Sequence, residues 1–145
     1  MCITLNQKEE FDLKTLDFIK KNKKAFSEIT SDTYNDLRVL KNDRYYQILC
    51  NGEFAGFILL EYQDTYNNIT TYELQIGVYN TESRNKYYAS NALSILLNIL
   101  NNEGFPVIIE AIIKNDNEDK NIVDKLLTNA GFKCLDGIYS YYINA

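Results

Sequence analysis

The sequence predicts a mixed α/β (α+β) domain, with helices on the faces of a mostly antiparallel central sheet of six to seven strands. Three observations carry this reading. Two hairpin dipeptides, Asn51-Gly52 and Asp136-Gly137, each separate two strand-like runs. Segments with apolar residues at helical spacing, about four in all, alternate with those runs. VIIEAII, Val107 to Ile113, is a nearly unbroken apolar strand, as expected of a central strand covered on both faces. The 145 residues fit one domain, 1–145, and 46% of them are apolar, enough to build a core.

The elements follow in order. CITL reads as a short first strand. From Lys8 to Lys24, Phe11, Thr15, Phe18 and Ile19 share one helical face. A second helix is expected from Ser31 to Leu40, with Ser31 or Asp32 as N-cap. RYYQILC and EFAGFILLEYQ are strands joined at Asn51-Gly52. Asp64 to Asn68 is a polar turn, and TTYELQIGVY is the next strand. RNKYYASNAL, Arg84 to Leu93, then leads into a helix that runs to about Asn102. Ala92, Leu96, Ile99 and Leu100 form its apolar stripe, and Leu93 and Leu97 widen it, so this helix is deeply buried. Gly104 ends it, and Pro106 stands at the start of VIIEAII, where a strand tolerates proline. A last helix, Glu118 to Ala130, buries Ile122, Val123, Leu126, Leu127 and Ala130 and stops at Gly131, with Phe132 packing back on it. FKCL and IYSYYI close the chain as a hairpin.

Composition narrows the chemistry. Fifteen basic against twenty acidic residues give a net charge of −5 without a basic stripe, which argues against nucleic acid as partner. The one basic run, Lys20, Lys21, Lys23 and Lys24, closes a helix, where cations meet the negative end of its dipole. No apolar run reaches membrane-spanning length, and the N-terminus does not read as a signal peptide, so no membrane partner is expected. Cys2, Cys50 and Cys134 form no CxxC pair and leave one over in any pairing, which suits a reduced, cytoplasmic setting. There is no histidine. Ser-His and Cys-His catalysis, histidine bases and histidine-containing zinc sites are excluded, and no metal site is assigned. Chemistry is left to carboxylates, tyrosines, lysines, backbone amides or a bound cosubstrate.

The element order, with residues at two points, resembles the GCN5-related N-acetyltransferase (GNAT) family over about two thirds of the chain, from Tyr45 onward. At the first point, ELQIGVYNTESRNKYYASNAL, a strand runs into a loop that opens a long helix. The family's loop reads Arg/Gln-x-x-Gly-x-Gly/Ala. Arg84 and Ala89 match it, and Tyr87 stands where the family has glycine. At the second point, NAGFK, Asn129 to Lys133, resembles the family's helix-ending Gly-Phe.

The resemblance implies binding of acetyl-CoA, or another acyl-CoA, and transfer of the acetyl group to a primary amine by direct attack in a ternary complex. Its pyrophosphate is expected on the amides of Arg84, Asn85, Lys86, Tyr87, Tyr88, Ala89 and Ser90, where a helix N-terminus offers free N–H donors and partial positive charge. Its pantetheine arm is expected along Ile76, Gly77 and Val78, with Gly77 read as a bulge that permits close approach. Asn115 or Asn117 corresponds to the family's asparagine after the fifth strand. Tyr87 is strained if the loop needs a positive φ, and costs little if the backbone there is ordinary α.

For catalysis the resemblance implies a carboxylate that takes the amine proton and a tyrosine that protonates the thiolate. Glu73 lies on the fourth strand, where relatives carry such a glutamate. Alternation puts it on one face with Gln75 and Gly77, opposite Leu74, Ile76 and Val78. Glu110 interrupts the apolar VIIEAII, where burial would raise its pKa. Both residues have a structural reading beside the catalytic one. The tyrosine's usual position is occupied by Leu127, so Tyr139, Tyr141 and Tyr142 are the substitutes, and Tyr141 is taken as the candidate. The expected activity is that of an acetyltransferase acting on an amine of a small molecule or protein. The alternative is a GNAT-fold protein without catalysis, a binding or regulatory module. The tyrosine-rich YSYYI would then serve as a homodimer edge or partner strand.

Overall fold

The computed structural model describes residues 2–26, 37–79 and 87–145. Seven strands form one sheet in the order β1-β2-β3-β4-β5-β7-β6. They are β1 (Ile3–Lys8), β2 (Arg44–Cys50), β3 (Glu53–Tyr66), β4 (Ile69–Val78), β5 (Val107–Ile112), β6 (Lys133–Leu135) and β7 (Ile138–Ile143). Three α-helices are described, α1 (Leu13–Lys21), α2 (Tyr88–Glu103) and α3 (Lys120–Ala130), with a short 3₁₀ turn at Lys23–Ala25. Every neighbouring pair of strands is antiparallel except β4–β5.

The sheet separates two cores. On one face Ile58, Leu60, Tyr72, Leu74, Val107 and Ile109 pack under α2, whose Ala92, Leu93 and Leu96 are fully buried. Leu127 of α3 joins this core. On the other face α1 covers Tyr45, Phe57 and Leu59 with Leu16 and Ile19. Arg44 fixes the far end of α2 by donating two 2.9 Å hydrogen bonds to Glu103, a paired geometry that also offsets an anion at a helix C-terminus.

Several expectations are corrected. The first strand runs on to Lys8, because Lys8 still pairs with Tyr45, so α1 starts only at Leu13. The expected helix at Ser31 to Leu40 lies outside the described residues up to position 36. Its last residues are not helical: Phe11 N–H donates to Leu37 O and Val39 N–H to Glu9 O, a short antiparallel contact. VIIEAII lies inside the sheet, but only one of its faces is buried and the other is partly covered. Val107, Ile109 and Ala111 are buried, while Ile108 and Glu110 are half-buried and Ile112 is exposed. Gly77 is not a bulge. It pairs in register with Phe57, and the irregularity of this hairpin lies at Tyr62 to Asp64. Its bare Cα is needed by packing, since a Cβ there would lie 2.6 Å from the Phe57 ring and 2.8 Å from the Phe18 ring.

A polar network seats α1. Asp12, the α1 N-cap, makes no cap hydrogen bond with its side chain. Its carboxylate instead accepts from Lys8 at 2.8 Å, Tyr45 at 2.6 Å and Gln47 at 3.0 Å. Thr15, fully buried, bonds the hydroxyls of both Tyr45 and Tyr79. The start of α1 is thereby tied to β2 and to the residue that follows β4. Burial alone would raise the Asp12 pKa, but the bonds from Lys8, Tyr45 and Gln47 outweigh it and hold it below the usual carboxylate range.

A carboxylate depressed on folding stabilises above its unfolded pKa of about 3.9 and loses that contribution as pH falls through the folded value. Asp12→Asn is therefore expected to be less stable than the natural protein at pH 7, with the gap closing below about pH 4. Urea titrations between those limits check it. Gly56→Ala is expected to cost about 3 kcal/mol, because a Cβ at Gly56 would lie 2.3 Å from the Gly77 carbonyl oxygen. Gly52→Ala meets nothing within 4 Å but sits at φ 84°, so its smaller loss isolates backbone strain from collision. Thermal melts of both variants check this pair.

Candidate active site

The ladder between β4 and β5 is short. It pairs Thr70 to Glu73 with Val107 to Glu110 and ends there. Beyond that point β4 stays paired to β3 as far as Val78, while β5 stays paired to β7 as far as Ile112. The two strands are held on their outer edges and part on their inner ones. Thr70 N–H donates toward β5, to Pro106 O, and Tyr79 N–H toward β3, to Ala55 O. Since edges alternate along a strand, Leu74, Ile76 and Val78 turn their peptide groups toward the gap, and Gly77 turns its own toward β3.

The gap is a cleft of about 560 Å³, within the size range of cosubstrate sites. It passes through the sheet. Ala89, Ser90, Val123 and Leu126 line it on the α2–α3 side, and Phe18, Asn22, Ala25 and Phe26 on the α1 side. α2 begins at one mouth, so its first-turn N–H groups and the positive end of its dipole meet the cleft there. Its N-cap is Tyr87, at φ 63° and ψ 26°, the left-handed conformation. The loop does require positive φ where the family has glycine, and the tyrosine is the strained case. Tyr87 is 73% exposed, at the rim of the cleft. An amide edge in the cleft and a helix start at its mouth fit an acyl-CoA: a pantetheine arm along β4 and a pyrophosphate at α2.

At the vertex two carboxylates meet. Glu73 and Glu110 are register partners on the α1 face, the last pair before the strands part. They stand at the closed end of the cleft and do not line it, the lining starting at Leu74 and Ala111. Both are half-buried. Burial first, and then the charge of Glu110, push the Glu73 pKa above the usual carboxylate range. Glu61 stands opposite Glu73 on β3 and is 6% exposed. Gln75, which lines the cleft and is 7% exposed, donates to it at 2.9 Å. Glu61 and Gln75 were missed in the sequence. The available signal was a charged and an amide residue at alternate positions of apolar strands.

The remaining expected site residues divide. Ile76, Gly77, Val78, Tyr87, Ala89 and Ser90 line the cleft. Tyr88 is the first residue of α2 and does not. Arg84, Asn85 and Lys86 lie outside the described residues. Asn115 is exposed, bonded by Lys120, and away from the cleft. Asn117 lines it, with its side-chain oxygen engaged by the Asp119 amide at 2.8 Å. Tyr141 is corrected: it faces the α2–α3 side, packs on Phe132 at 5.3 Å between ring centres and lies outside the cleft. Tyr139 donates its hydroxyl to Asp124, which pushes its pKa up to about 12. The parity of β7 puts both tyrosines opposite Glu110. Among the described residues no group of acidic or cysteine side chains could hold a metal, and no helix is long and apolar enough to cross a membrane.

No family model and no curated protein sequence matches the chain. The fold, however, is that of the GNAT acetyltransferases. The chain is similar to NAA60 of Arabidopsis thaliana, solved with acetyl-CoA, at a TM-score of 0.66 and 13% identity, covering 99% of this chain and 100% of that one. It is similar to the ribosomal-protein-S18-alanine N-acetyltransferase of Escherichia coli at a TM-score of 0.59 and 16% identity, over 99% and 96%. It is also similar to the spermidine N-acetyltransferase of Vibrio cholerae, solved with CoA and spermine, at 0.57 and 13%, over 97% and 94%.

A raised carboxylate pKa also means that its charge opposes folding. Glu73→Gln is expected to be more stable than the natural protein at pH 8. The advantage should shrink as pH falls through the raised pKa and vanish below the unfolded value of about 4.3. Denaturant midpoints across that range check the sign.

Proposed function

We propose that the chain is an acyl-CoA-dependent N-acetyltransferase that moves an acetyl group from acetyl-CoA to a primary amine. The observation that carries this is the parting of β4 and β5 after Glu73 and Glu110, which opens a cleft from the start of α2 through the sheet. Leu74, Ile76 and Val78 would hold the pantetheine arm by their peptide groups, and Ala89, Ser90 and Tyr87 would face the pyrophosphate. When bound, acetyl-CoA supplies an acyl carbon that a primary amine attacks directly, in a ternary complex. The protein's own part is positioning and proton handling. Glu73, with its elevated pKa and Glu110 beside it, takes the amine proton, directly or through water. Tyr139 and Tyr141 lie on the face opposite Glu110, while Tyr142 shares the face of Glu110 but lies outside the cleft. The reading therefore needs no tyrosine acid, since a thiolate is a modest base. The acceptor is an amine of a small molecule or of a protein, met in a cytoplasmic setting.

A second reading keeps the fold and drops catalysis. Leu127 in place of the family's tyrosine favours it, as does left-handed Tyr87. The chain would then act through protein contacts. β5 and β6 flank β7, so a homodimer contact there would use its Tyr142, 66% exposed, rather than a sheet edge along the whole strand.

Calorimetry with acetyl-CoA separates the two. The natural protein is expected to bind at micromolar levels, and Tyr87→Gly within about tenfold of it, since the left-handed backbone is already in place at Tyr87 and its cost of about 1–2 kcal/mol falls on folding rather than on binding. Loss of binding in both proteins would overturn the transferase reading. In turnover assays kcat/KM is expected to rise with pH through the Glu73 ionisation. Glu110→Gln should move that limb to lower pH, because it removes the neighbouring charge. Glu73→Gln should lower kcat by about 10²-fold or more.

A further inference from the structure

The α1 face of the sheet beyond the vertex bears on which amine is accepted. Glu110 and Ile112 point to this face from β5. Their register partners are Ser140 and Ile138 on β7, and then Lys133 and Leu135 on β6. Two cross-strand rows result. Glu110, Ser140 and Lys133 form a polar row at the vertex, and Ile112, Ile138 and Leu135 form an apolar row beyond it. The apolar row is open to solvent: Ile112 is 58% exposed, Ile138 38% and Leu135 77%. Solvent-facing strand positions ordinarily alternate to polar residues, so an apolar row here asks for a contact. Ile112 belongs both to this row and to the cleft lining, which makes the row continuous with the reaction site. The cleft's opposite wall on this side is also apolar, with Phe18 and Phe26.

Charge and surface together select a ligand. The vertex carboxylates Glu73 and Glu110 complement an ammonium group, while the apolar row carries no charged side chain and Lys133, in the polar row beside it, repels a second ammonium. The cleft's other carboxylates, Glu118 and Asp119, follow β5 and are not part of the row. The row spans two interstrand spacings, about 10 Å, the reach of a medium-length alkyl chain. We propose that the acceptor is a primary amine on an apolar alkyl or arylalkyl body, its ammonium against Glu73 and Glu110 and its body along Ile112, Ile138 and Leu135. A polyamine fits poorly, because its inner ammonium groups would lie on isoleucine and leucine without a partner. The inference rests on the transferase reading for its chemistry, but its contact is testable without turnover.

The test titrates methyl-labelled protein, with CoA present and absent, with n-octylamine and with spermidine, and then runs both amines in an acetyl-CoA thiol-release assay. Octylamine is expected to shift the methyl signals of Ile112, Ile138 and Leu135, and spermidine to leave them in place. Leu135→Asp and Ile138→Asp, both at exposed positions, should weaken octylamine binding by about tenfold while acetyl-CoA affinity is unchanged. Octylamine should be acetylated at least about tenfold more efficiently than spermidine, and Leu135→Asp should erase that preference. Methyl shifts without acetylation of either amine would uphold the apolar amine surface and sink the transferase reading. Efficient acetylation of spermidine with silent methyls would do the reverse. Octylamine shifts confined to other parts of the molecule would overturn the proposal.

Discussion

Between Leu74 and Val78, β4 has hydrogen-bonding partners on one edge only. A strand edge inside a folded domain is costly to leave bare, because each unpaired peptide group forfeits its bond to water without gaining another. Here the edge is fixed by what lies on either side. β3 holds β4 through to Val78, and β7 holds β5 through to Ile112, so neither strand can move inward to close the gap. The cleft, the helix that starts at its mouth and the carboxylates at its vertex all follow from that divergence.

The walls of the cleft are stiffened from behind. Bare Gly77 lets the Phe57 and Phe18 rings seat against the sheet, and bare Gly56 lets β3 lie close against the backbone of Gly77 and Val78. Phe18 packs in turn on Phe26 and Tyr79, so the α1 wall is one aromatic assembly. The Asp12, Thr15 and Tyr45 network holds the start of that helix, and Arg44 with Glu103 holds the end of α2. Neither helix can tilt without breaking charge-assisted bonds.

Two local departures from favourable physics fall on this one cleft. Tyr87 occupies a conformation that favours glycine, at its mouth. Glu73 and Glu110 place like charges in register, at its vertex. A fold tolerates such sites when surrounding structure over-determines them, and their convergence motivates the functional proposal.

Most elements were legible in the sequence because their causes are local. Asn51-Gly52 and Asp136-Gly137 turn as read, β2 has the expected bounds, and α3 stops at Gly131. The GNAT fold itself was legible from the element order and the loop before α2. The site was legible in part. Residues of β4 and of the α2 start were named through the family resemblance, and of these Ile76, Gly77, Val78, Tyr87, Ala89 and Ser90 line the cleft. The relation between Glu73 and Glu110 could not be named, since a parallel register joins residues far apart in the chain. Tyr141 was misplaced because β7 parity is set by its pairing with β5, and Gly77 because its neighbours Phe57 and Phe18 come from other elements. VIIEAII reads as buried on both faces, yet which faces are covered depends on where the helices land. Sequence alone determined most of the elements, the two hairpin turns and the exclusion of histidine chemistry, because these rest on residue type and short-range spacing. Only the tertiary structure decided where β4 and β5 part and which side chains share a face there, because strand register and helix placement are settled by contacts between distant segments.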